Sequence, residues 1–258
     1  MADSPIIRVE GVTVGYDGVT VLENVSFEVN AGEVFVILGG SGCGKSTLLK
    51  HMIGLYRPSS GRILIEGEDI TRATGPQLAR IQRRIGVTYQ SGALFGSMSL
   101  LENVRLPLEE LTDLPADAID LIARMKLDLV GLTGYADHKP AEISGGMKKR
   151  AALARAMALD PHILFLDEPS AGLDPVTSAG LDQLILRLAR SLHITFVIVT
   201  HELASIYAVA DRVLMLDKRA RGVIATGTPV ELREHSDNPW VRSFFLREAE
   251  NSAVAPAG

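Results

Sequence analysis

Gly39-Gly40-Ser41-Gly42-Cys43-Gly44-Lys45-Ser46-Thr47 is the stretch of this 258-residue sequence that decides the fold. A glycine, four residues and then Gly-Lys-Ser form the pattern of a phosphate-binding P-loop. The apolar run before it, residues 34–38, has the length of a buried strand, and residues 48–55 are compatible with a helix. The loop therefore joins a strand to a helix N-terminus, where glycines and partial positive charge favour phosphate. The alternative is a glycine-rich turn before a helix, which the Lys-Ser pair disfavours.

The chemistry of such a loop assigns roles to two side chains. Lys45 is expected to reach the β- and γ-phosphates of a nucleotide, and Ser46 to place its hydroxyl on Mg²⁺. Cys43 is the only cysteine, which excludes an internal disulfide and fits a reducing compartment. Inside the loop it is expected to serve as a small residue and not as a reactive thiol.

Composition narrows the class of protein. The net charge is −5 and the isoelectric point is about 5.7, which argues against broad nucleic-acid binding. No apolar run approaches the roughly eighteen residues of a spanning helix. The first five residues lack the basic segment and apolar core of a secretory signal. We therefore expect a soluble, cytosolic protein that does not cross a membrane.

The pattern along the chain predicts an α/β fold. Alternation predicts strands over residues 6–16 and 21–29, joined by the turn Asp17-Gly18. Further strands are expected at 62–67, 85–89, 163–166, 194–200, 212–216 and 223–226, with helices at 77–83 and 178–192. Short apolar strands that alternate with helices indicate a parallel sheet covered on both faces.

Residues 91–159 differ from the rest because helical patterning dominates and no β-rich run occurs. We read them as an α-helical lobe inserted in a core made of residues 1–90 and 160–247. Residues 248–258 are rich in Ala, Pro and Ser and are expected to form a flexible tail.

Two further groups are expected at the carboxyl ends of strands, where ligands of parallel sheets bind. Asp167 follows the strand at 163–166 and is suited to hold Mg²⁺, and Glu168 to orient the attacking water. His201 ends the strand at 194–200 and is expected to contact the γ-phosphate or that water. The alternative for Asp167-Glu168 is an acidic pair that caps the turn before Pro169, which the upstream P-loop disfavours.

Ile143-Ser144-Gly145-Gly146-Met147 precedes the helical run at 148–159. Taken alone, Ser-Gly-Gly before a helix fits a simple N-cap and loop equally well. Ser144 lies 167 − 144 = 23 residues before Asp167, and this arrangement is hard to obtain by chance.

Together these motifs resemble an ATP-binding cassette (ABC) transporter ATPase subunit over nearly the whole chain. The resemblance implies a RecA-like P-loop NTPase core with a parallel sheet, an N-terminal antiparallel β subdomain and the inserted helical lobe. It further implies that Tyr16 stacks on adenine and that Gln90 senses both Mg²⁺ and a partner membrane protein. Ala171-Gly172-Leu173-Asp174 resembles the family's loop at the dimer interface. Without the resemblance, Tyr16 would be a strand-end aromatic and Gln90 a solvent-facing loop residue.

The signature departs from the family's common Leu-Ser-Gly-Gly-Gln, because Ile143 and Met147 replace its first and last residues. The phosphate-contacting Ser144, Gly145 and Gly146 are intact. Met147, together with residues 149–156 and 90–95, resembles the Mce-associated ATPases, which include the ATPase of the Mla system of outer-membrane lipid asymmetry.

What the resemblance implies for assembly is a head-to-tail homodimer. The P-loop of one copy would face Ser144-Gly145-Gly146 of the other across two ATP-Mg²⁺. A membrane permease would dock near Gln90, on the cytoplasmic side of the inner membrane, to drive phospholipid transport. An Mce-domain protein and a small STAS-type accessory protein are implied partners, and nucleic acid is not. The alternatives are an ABC ATPase for another substrate and a non-transport ABC protein, which would carry a coiled coil or tandem cassettes. A third alternative, a nucleotide-binding regulator without turnover, is disfavoured because Glu168 and His201 are both present.

The remaining charged groups are expected to be structural or solvated. We expect the clusters Arg80, Arg83, Arg84 and Lys148, Lys149, Arg150 to be solvated helix faces. The histidines other than His201 are expected to be structural or solvated: His51, His138, His162, His193 and His235.

Overall fold

A computed structural model describes residues 5–16 and 18–247 of the chain. Asp17, from the predicted turn, and the predicted tail at 248–258 lie outside the described residues. The described residues form two sheets with helices around them.

The strands run in the order β1 (Ile7–Tyr16), β2 (Val19–Val29), β3 (Val34–Gly39), β4 (Ser60–Ile65), β5 (Glu68–Asp69), β6 (Ile85–Thr88), β7 (Ile163–Asp167), β8 (Thr195–Val199), β9 (Arg212–Asp217) and β10 (Gly222–Gly227). The first sheet is antiparallel, in the order β2-β1-β4-β5. The second has the order β10-β9-β3-β8-β7-β6 and is parallel from β9 to β6.

The helices are α1 (Lys45–Met52), α2 (Gly75–Gln82), α3 (Leu100–Leu111), α4 (Ala116–Leu129), α5 (Gly145–Ala156), α6 (Pro175–Leu192), α7 (Leu203–Val209), α8 (Pro229–His235) and α9 (Pro239–Leu246). Between residues 91 and 159 the structure contains α3, α4, α5 and two short 3₁₀ turns, and no strand. This agrees with the helical character expected there, while the domain boundaries themselves stay a prediction.

Strand β3 explains why the large sheet is covered on both faces. All six of its residues are buried, and its side chains alternate between two apolar clusters. Phe35 and Ile37 pack toward the antiparallel sheet and α1, whereas Val36 and Leu38 pack toward α5, α6 and the helical region. A strand buried on both faces reads as a continuous apolar run, as it does here.

The structure also differs from several sequence expectations. Helix α1 begins at Lys45 and not at residue 48, because the P-loop itself turns into the helix. Strand β10 pairs antiparallel with β9, since only four residues separate the two and a parallel crossover needs about a dozen. Helices α7, α8 and α9 were not expected; each has eight residues or fewer, too few for a clear helical period.

Candidate functional site

Three neighbouring parallel strands build the site. Strand β8 lies between β3 and β7, and all three point their carboxyl ends toward the same edge of the sheet. The P-loop leaves β3 there, Asp167 ends β7, and His201 follows β8. The sheet thus brings together groups that are 34 (201 − 167) and 122 (167 − 45) residues apart in the chain.

The P-loop is shaped by close backbone approaches. A Cβ at Gly39 would lie 2.4 Å from the carbonyl oxygen of Leu216, and Gly44 has a φ of +105°. Gly44 is the N-cap of α1 and provides no side-chain cap, so the first amides of that helix have no partner within it. Lys45 Nζ lies over the loop, donating to the carbonyls of Gly39 at 2.8 Å and Gly40 at 3.1 Å. The loop therefore presents free amides and an ammonium to an anion.

Cys43 is buried within the loop, and burial raises the pKa of its thiol. A buried thiol that stays protonated is unreactive. This agrees with the expectation that Cys43 serves as a small residue.

Ser46 and Asp167 form the part of the site suited to Mg²⁺. Ser46 Oγ donates to Asp167 Oδ1 at 3.2 Å, and burial raises the pKa of the Asp167 carboxyl. No group of three or more His, Cys, Asp or Glu side chains clusters anywhere in residues 5–16 and 18–247. Mg²⁺ needs none, since it binds one or two protein oxygens together with substrate phosphates and water. The donor set therefore fits Mg²⁺ held jointly with a nucleotide.

Glu168 and His201 are in direct contact. His201 Nδ1 lies 2.7 Å from Glu168 Oε1, and the tautomer with its hydrogen on Nδ1 donates to the carboxylate. The His201 side chain is 69% exposed and that of Glu168 is 14% exposed. A carboxylate oriented in this way at the mouth of the site is able to accept a proton from water.

Tyr16 is the last residue of β1, and its side chain is exposed. Its ring meets that of Tyr56 edge to face, with centroids 5.7 Å apart. Tyr16 also lines an open cleft of about 200 Å³ together with Val19 and Arg57. Tyr16 was a candidate from the sequence, whereas Tyr56, which packs against it, carries no sequence signal beyond its aromatic character.

The glycine-rich start of α5 is capped by its own serine. Ser144 Oγ accepts from the Met147 amide at 3.3 Å, and Ser144 and Gly145 are exposed. Among the described residues, no hydrogen bond joins Ser144, Gly145 or Gly146 to residues 39–47 of the same chain. Within this chain, Ser144 therefore serves as the N-cap of α5.

Gln90 follows β6, and its carbonyl accepts a hydrogen bond from Lys149 Nζ. The same ammonium donates to the carbonyl of Glu168 at 3.3 Å. The expectation of a solvated face was therefore wrong for Lys149. It was also wrong for Arg84, which pairs with Glu66 and Glu68.

A scan against protein-family models matches residues 22–171 to the family described as ABC transporter. The chain belongs to the ABC transporter family. The matched residues include the P-loop, Gln90, Ser144 and the Asp167-Glu168 pair.

Curated relatives cover most of the chain. The probable ribonucleotide transport ATP-binding protein mkl of Mycobacterium leprae is 45% identical over 239 residues, which cover 93% of this chain and 68% of that protein. The intermembrane phospholipid transport system ATP-binding protein MlaF of Haemophilus influenzae is 40% identical, over 90% of this chain and 87% of that protein. MlaF of Escherichia coli K12 is 41% identical, over 87% and 82% respectively.

Solved structures agree with the fold. The structure of cbiO1 from Clostridium perfringens, part of the ABC transporter complex cbiONQ, aligns with a TM-score of 0.82 at 32% identity, covering 90% of this chain and 91% of that one. The dimeric post-hydrolysis structure of the ATP-binding cassette MJ0796, bound to ADP and Pi, aligns with a TM-score of 0.77 at 30% identity, covering 86% and 98%.

These findings make the chain an ABC-type ATPase subunit of a transporter, as the sequence motifs predicted. The expected P-loop NTPase fold with an N-terminal antiparallel sheet is confirmed. In the part of the chain that the structure describes, no helix is both long and apolar enough to span a bilayer.

Proposed function

We propose that this chain hydrolyses MgATP at a head-to-tail homodimer interface and thereby drives phospholipid transport between membranes. The observation that carries the dimer is that, within the described residues of one chain, no hydrogen bond joins the two glycine-rich helix starts. The start of α1 offers uncapped amides and Lys45 to phosphate, whereas Ser144 and Gly145 are exposed and, in the part of the chain that the structure describes, form no hydrogen bond with their own P-loop. A second copy supplies the missing side of the triphosphate with its own α5 N-terminus.

Each predicted site residue has a task in this mechanism. Residues 39–47 hold the phosphates through backbone amides, with Lys45 released from its own loop carbonyls to bind them. Tyr16 stacks on the adenine, and Ser144, Gly145 and Gly146 of the second copy contact the γ-phosphate.

The water is activated at the mouth of the site. Glu168 orients the attacking water and accepts its proton, and His201 holds the carboxylate in place through Nδ1. Ser46, Gln90 and Asp167 would hold Mg²⁺, which neutralises charge on the β- and γ-phosphates when it is bound.

The chain is proposed to act with partners at the cytoplasmic face of the inner membrane. Permease subunits dock near Gln90, where the loop after β6 meets α5. An Mce-domain protein and a small STAS-type accessory protein complete the assembly by analogy with the Mla system. Support comes from two MlaF relatives that align over more than four fifths of their own length.

A second candidate substrate is a ribonucleotide. It is favoured by the relatives with the higher identity, the mycobacterial mkl proteins, which carry that name. The two candidates share the ATPase and differ only in what the complex carries.

The ATPase role is tested with Glu168→Gln. The variant is expected to bind ATP and dimerise while its turnover falls by at least about a hundredfold, because the amide cannot take a proton from water. Glu110→Gln is the matched control, since Glu110 is exposed on α3 and its side chain makes no hydrogen bond or ion pair among the described residues. Wild-type turnover in Glu168→Gln would overturn the role of Glu168.

The substrate is tested on the intact complex. We expect the complex extracted from membranes with this chain to contain permease subunits and phospholipid by mass spectrometry, and nucleotide only at the ATP sites. A complex that retains a ribonucleotide in excess of two ATP per dimer, and no phospholipid, would favour the second candidate.

A further inference from the structure

Lys149 joins two parts of the site that come from different strands. It lies on α5, five residues after Ser144 (149 − 144), and its side chain is half-buried. Its ammonium donates to the carbonyl of Gln90, after β6, and to that of Glu168, after β7, at 3.3 Å. One side chain thus ties α5 to the ends of both strands.

The contact between Lys149 and Glu168 matters because the backbone of Glu168 is strained. Glu168 has a φ of +49°, a conformation that costs a non-glycine residue on the order of 1 kcal/mol and persists only where the surroundings define it. Its amide donates to the Val199 carbonyl at 2.8 Å, and its carbonyl accepts from the Ala171 amide at 3.2 Å and from Lys149. Among the described residues, Lys149 is the one side chain that bonds to this backbone.

The strained backbone sets the direction of the Glu168 carboxylate, whose Oε1 meets His201 Nδ1 at 2.7 Å. A change in φ or ψ at Glu168 would move that carboxylate relative to any water held at the end of β7. Lys149 therefore acts on the reacting group through the backbone, without touching the substrate.

Lys149 lies among acidic groups of the site, and a second basic residue of α5 bonds to the loop after β6. Burial lowers the pKa of the Lys149 ammonium, and the nearby charges of Glu168 and Asp167 oppose that shift. Arg155, on the same helix, donates to the carbonyls of Ala93 at 2.8 Å and Gly92 at 3.0 Å. Since Arg155 anchors the loop after β6 independently, the Glu168 backbone is the part that most depends on Lys149.

We propose that Lys149 is a positioning residue for ATP hydrolysis, which holds the backbones of Glu168 and Gln90 in a fixed relation to the helix that begins at Ser144. This inference rests on the role proposed above for Glu168. It adds that a shift of α5 at the dimer interface is transmitted directly to the residue that activates water.

The test compares Lys149→Met, Lys149→Arg and Lys148→Met in the full-length protein. Lys149→Met keeps an apolar stem and removes the donor, so kcat is expected to fall about tenfold while KM for ATP changes by less than about twofold. Lys149→Arg should recover most of the kcat, because a guanidinium also donates to carbonyls. Lys148→Met is the matched control, since Lys148 is the neighbouring cation and makes no side-chain hydrogen bond within the described residues.

Hydrogen–deuterium exchange separates positioning from a general loss of stability. In Lys149→Met we expect faster exchange in residues 168–171, a smaller increase in residues 88–92, where Arg155 still anchors the loop, and unchanged exchange in the remaining strands of the large sheet. Faster exchange throughout the protein, an equal loss of kcat in Lys148→Met, or no rescue by Lys149→Arg would each overturn the proposal.

Glu168→Gln in the same assays keeps the two proposals distinguishable. An inactive Glu168→Gln beside a fully active Lys149→Met overturns only the role of Lys149. A fully active Glu168→Gln overturns the proposed mechanism at Glu168 itself.

Discussion

The P-loop and the start of α5 are both glycine-rich helix N-termini, but they differ in how the first turn of the helix is capped. At α1 the N-cap is Gly44, in a left-handed conformation and without a capping side chain. At α5 the N-cap is Ser144, in an extended conformation, and its own hydroxyl accepts from the Met147 amide. The first amides of α1 are therefore available to an anion, whereas α5 is capped by its own serine, with Ser144 and Gly145 exposed.

This difference shows which half of a phosphate site one chain can build alone. The P-loop is enclosed by β3, β9 and its own Lys45, so its geometry exists without a second copy. At the start of α5, Ser144 and Gly145 are exposed, whereas Gly146 is buried close to Thr177. In the proposed dimer, the contribution of this helix start to phosphate binding depends on a ligand held by the other copy. Variants at the two helix starts should therefore fail in different ways.

The largest expected effect is at the P-loop. Lys45→Ala removes the ammonium that lies over the loop, so ATP affinity and turnover should both fall, kcat/KM by at least about a thousandfold. Nucleotide binding is measured by calorimetry and turnover by phosphate release. A variant that keeps its affinity for ATP would show that the backbone amides alone hold the phosphates.

The next effect is at the start of α5. Ser144→Arg should lower turnover by at least about a hundredfold while each subunit still binds one nucleotide, because the arginine blocks the approach of the second copy. The dimer is measured by size-exclusion chromatography with ATP. The double variant Glu168→Gln, Ser144→Arg should elute as a monomer.

Ser99 provides a matched control for the loss of a cap. It is the N-cap of α3, accepting from the Glu102 amide, and belongs to a capping box outside the site. Ser99→Ala and Ser144→Ala should each cost about 1 kcal/mol of stability, and only Ser144→Ala should reduce hydrolysis. Equal ATPase activity in Ser99→Ala and Ser144→Ala would show that Ser144 serves only as a helix cap.

The smallest effect is measured on stability and contrasts one glycine from each helix start. A Cβ at Gly44 would lie 2.8 Å from Val21 Cγ1, at a φ of +105°, so Gly44→Ala should lower the free energy of unfolding by about 1–3 kcal/mol. A Cβ at Gly145 would lie 3.6 Å from Leu173 Cδ2, an ordinary contact, so Gly145→Ala should change it by less than about 0.5 kcal/mol. Urea unfolding measures both, and equal costs would contradict the contrast.

Much of the site could be predicted because its signals are local. The P-loop, the Asp167-Glu168 pair and His201 each follow an apolar run whose length indicates a buried strand, and the structure brings all of them to one edge of the sheet. Lys149 was missed because nothing in a run of three cations distinguishes the one that faces two carbonyls. Arg150, beside it, bonds instead to the carbonyl of Val130, at 3.4 Å.

The sequence by itself determined the chemistry of the loop and the membership of the family. A glycine pattern, a Lys-Ser pair and the spacing of motifs are properties of consecutive residues, and the backbone conformation follows from them. Only the tertiary structure decided that β8 lies between β3 and β7, which places His201 against Glu168. It also decided that Lys149 reaches the carbonyls of Gln90 and Glu168, which are 59 and 19 residues away in the chain. The physical reason is that strand order and long-range hydrogen bonds depend on how the elements pack, which no local pattern encodes.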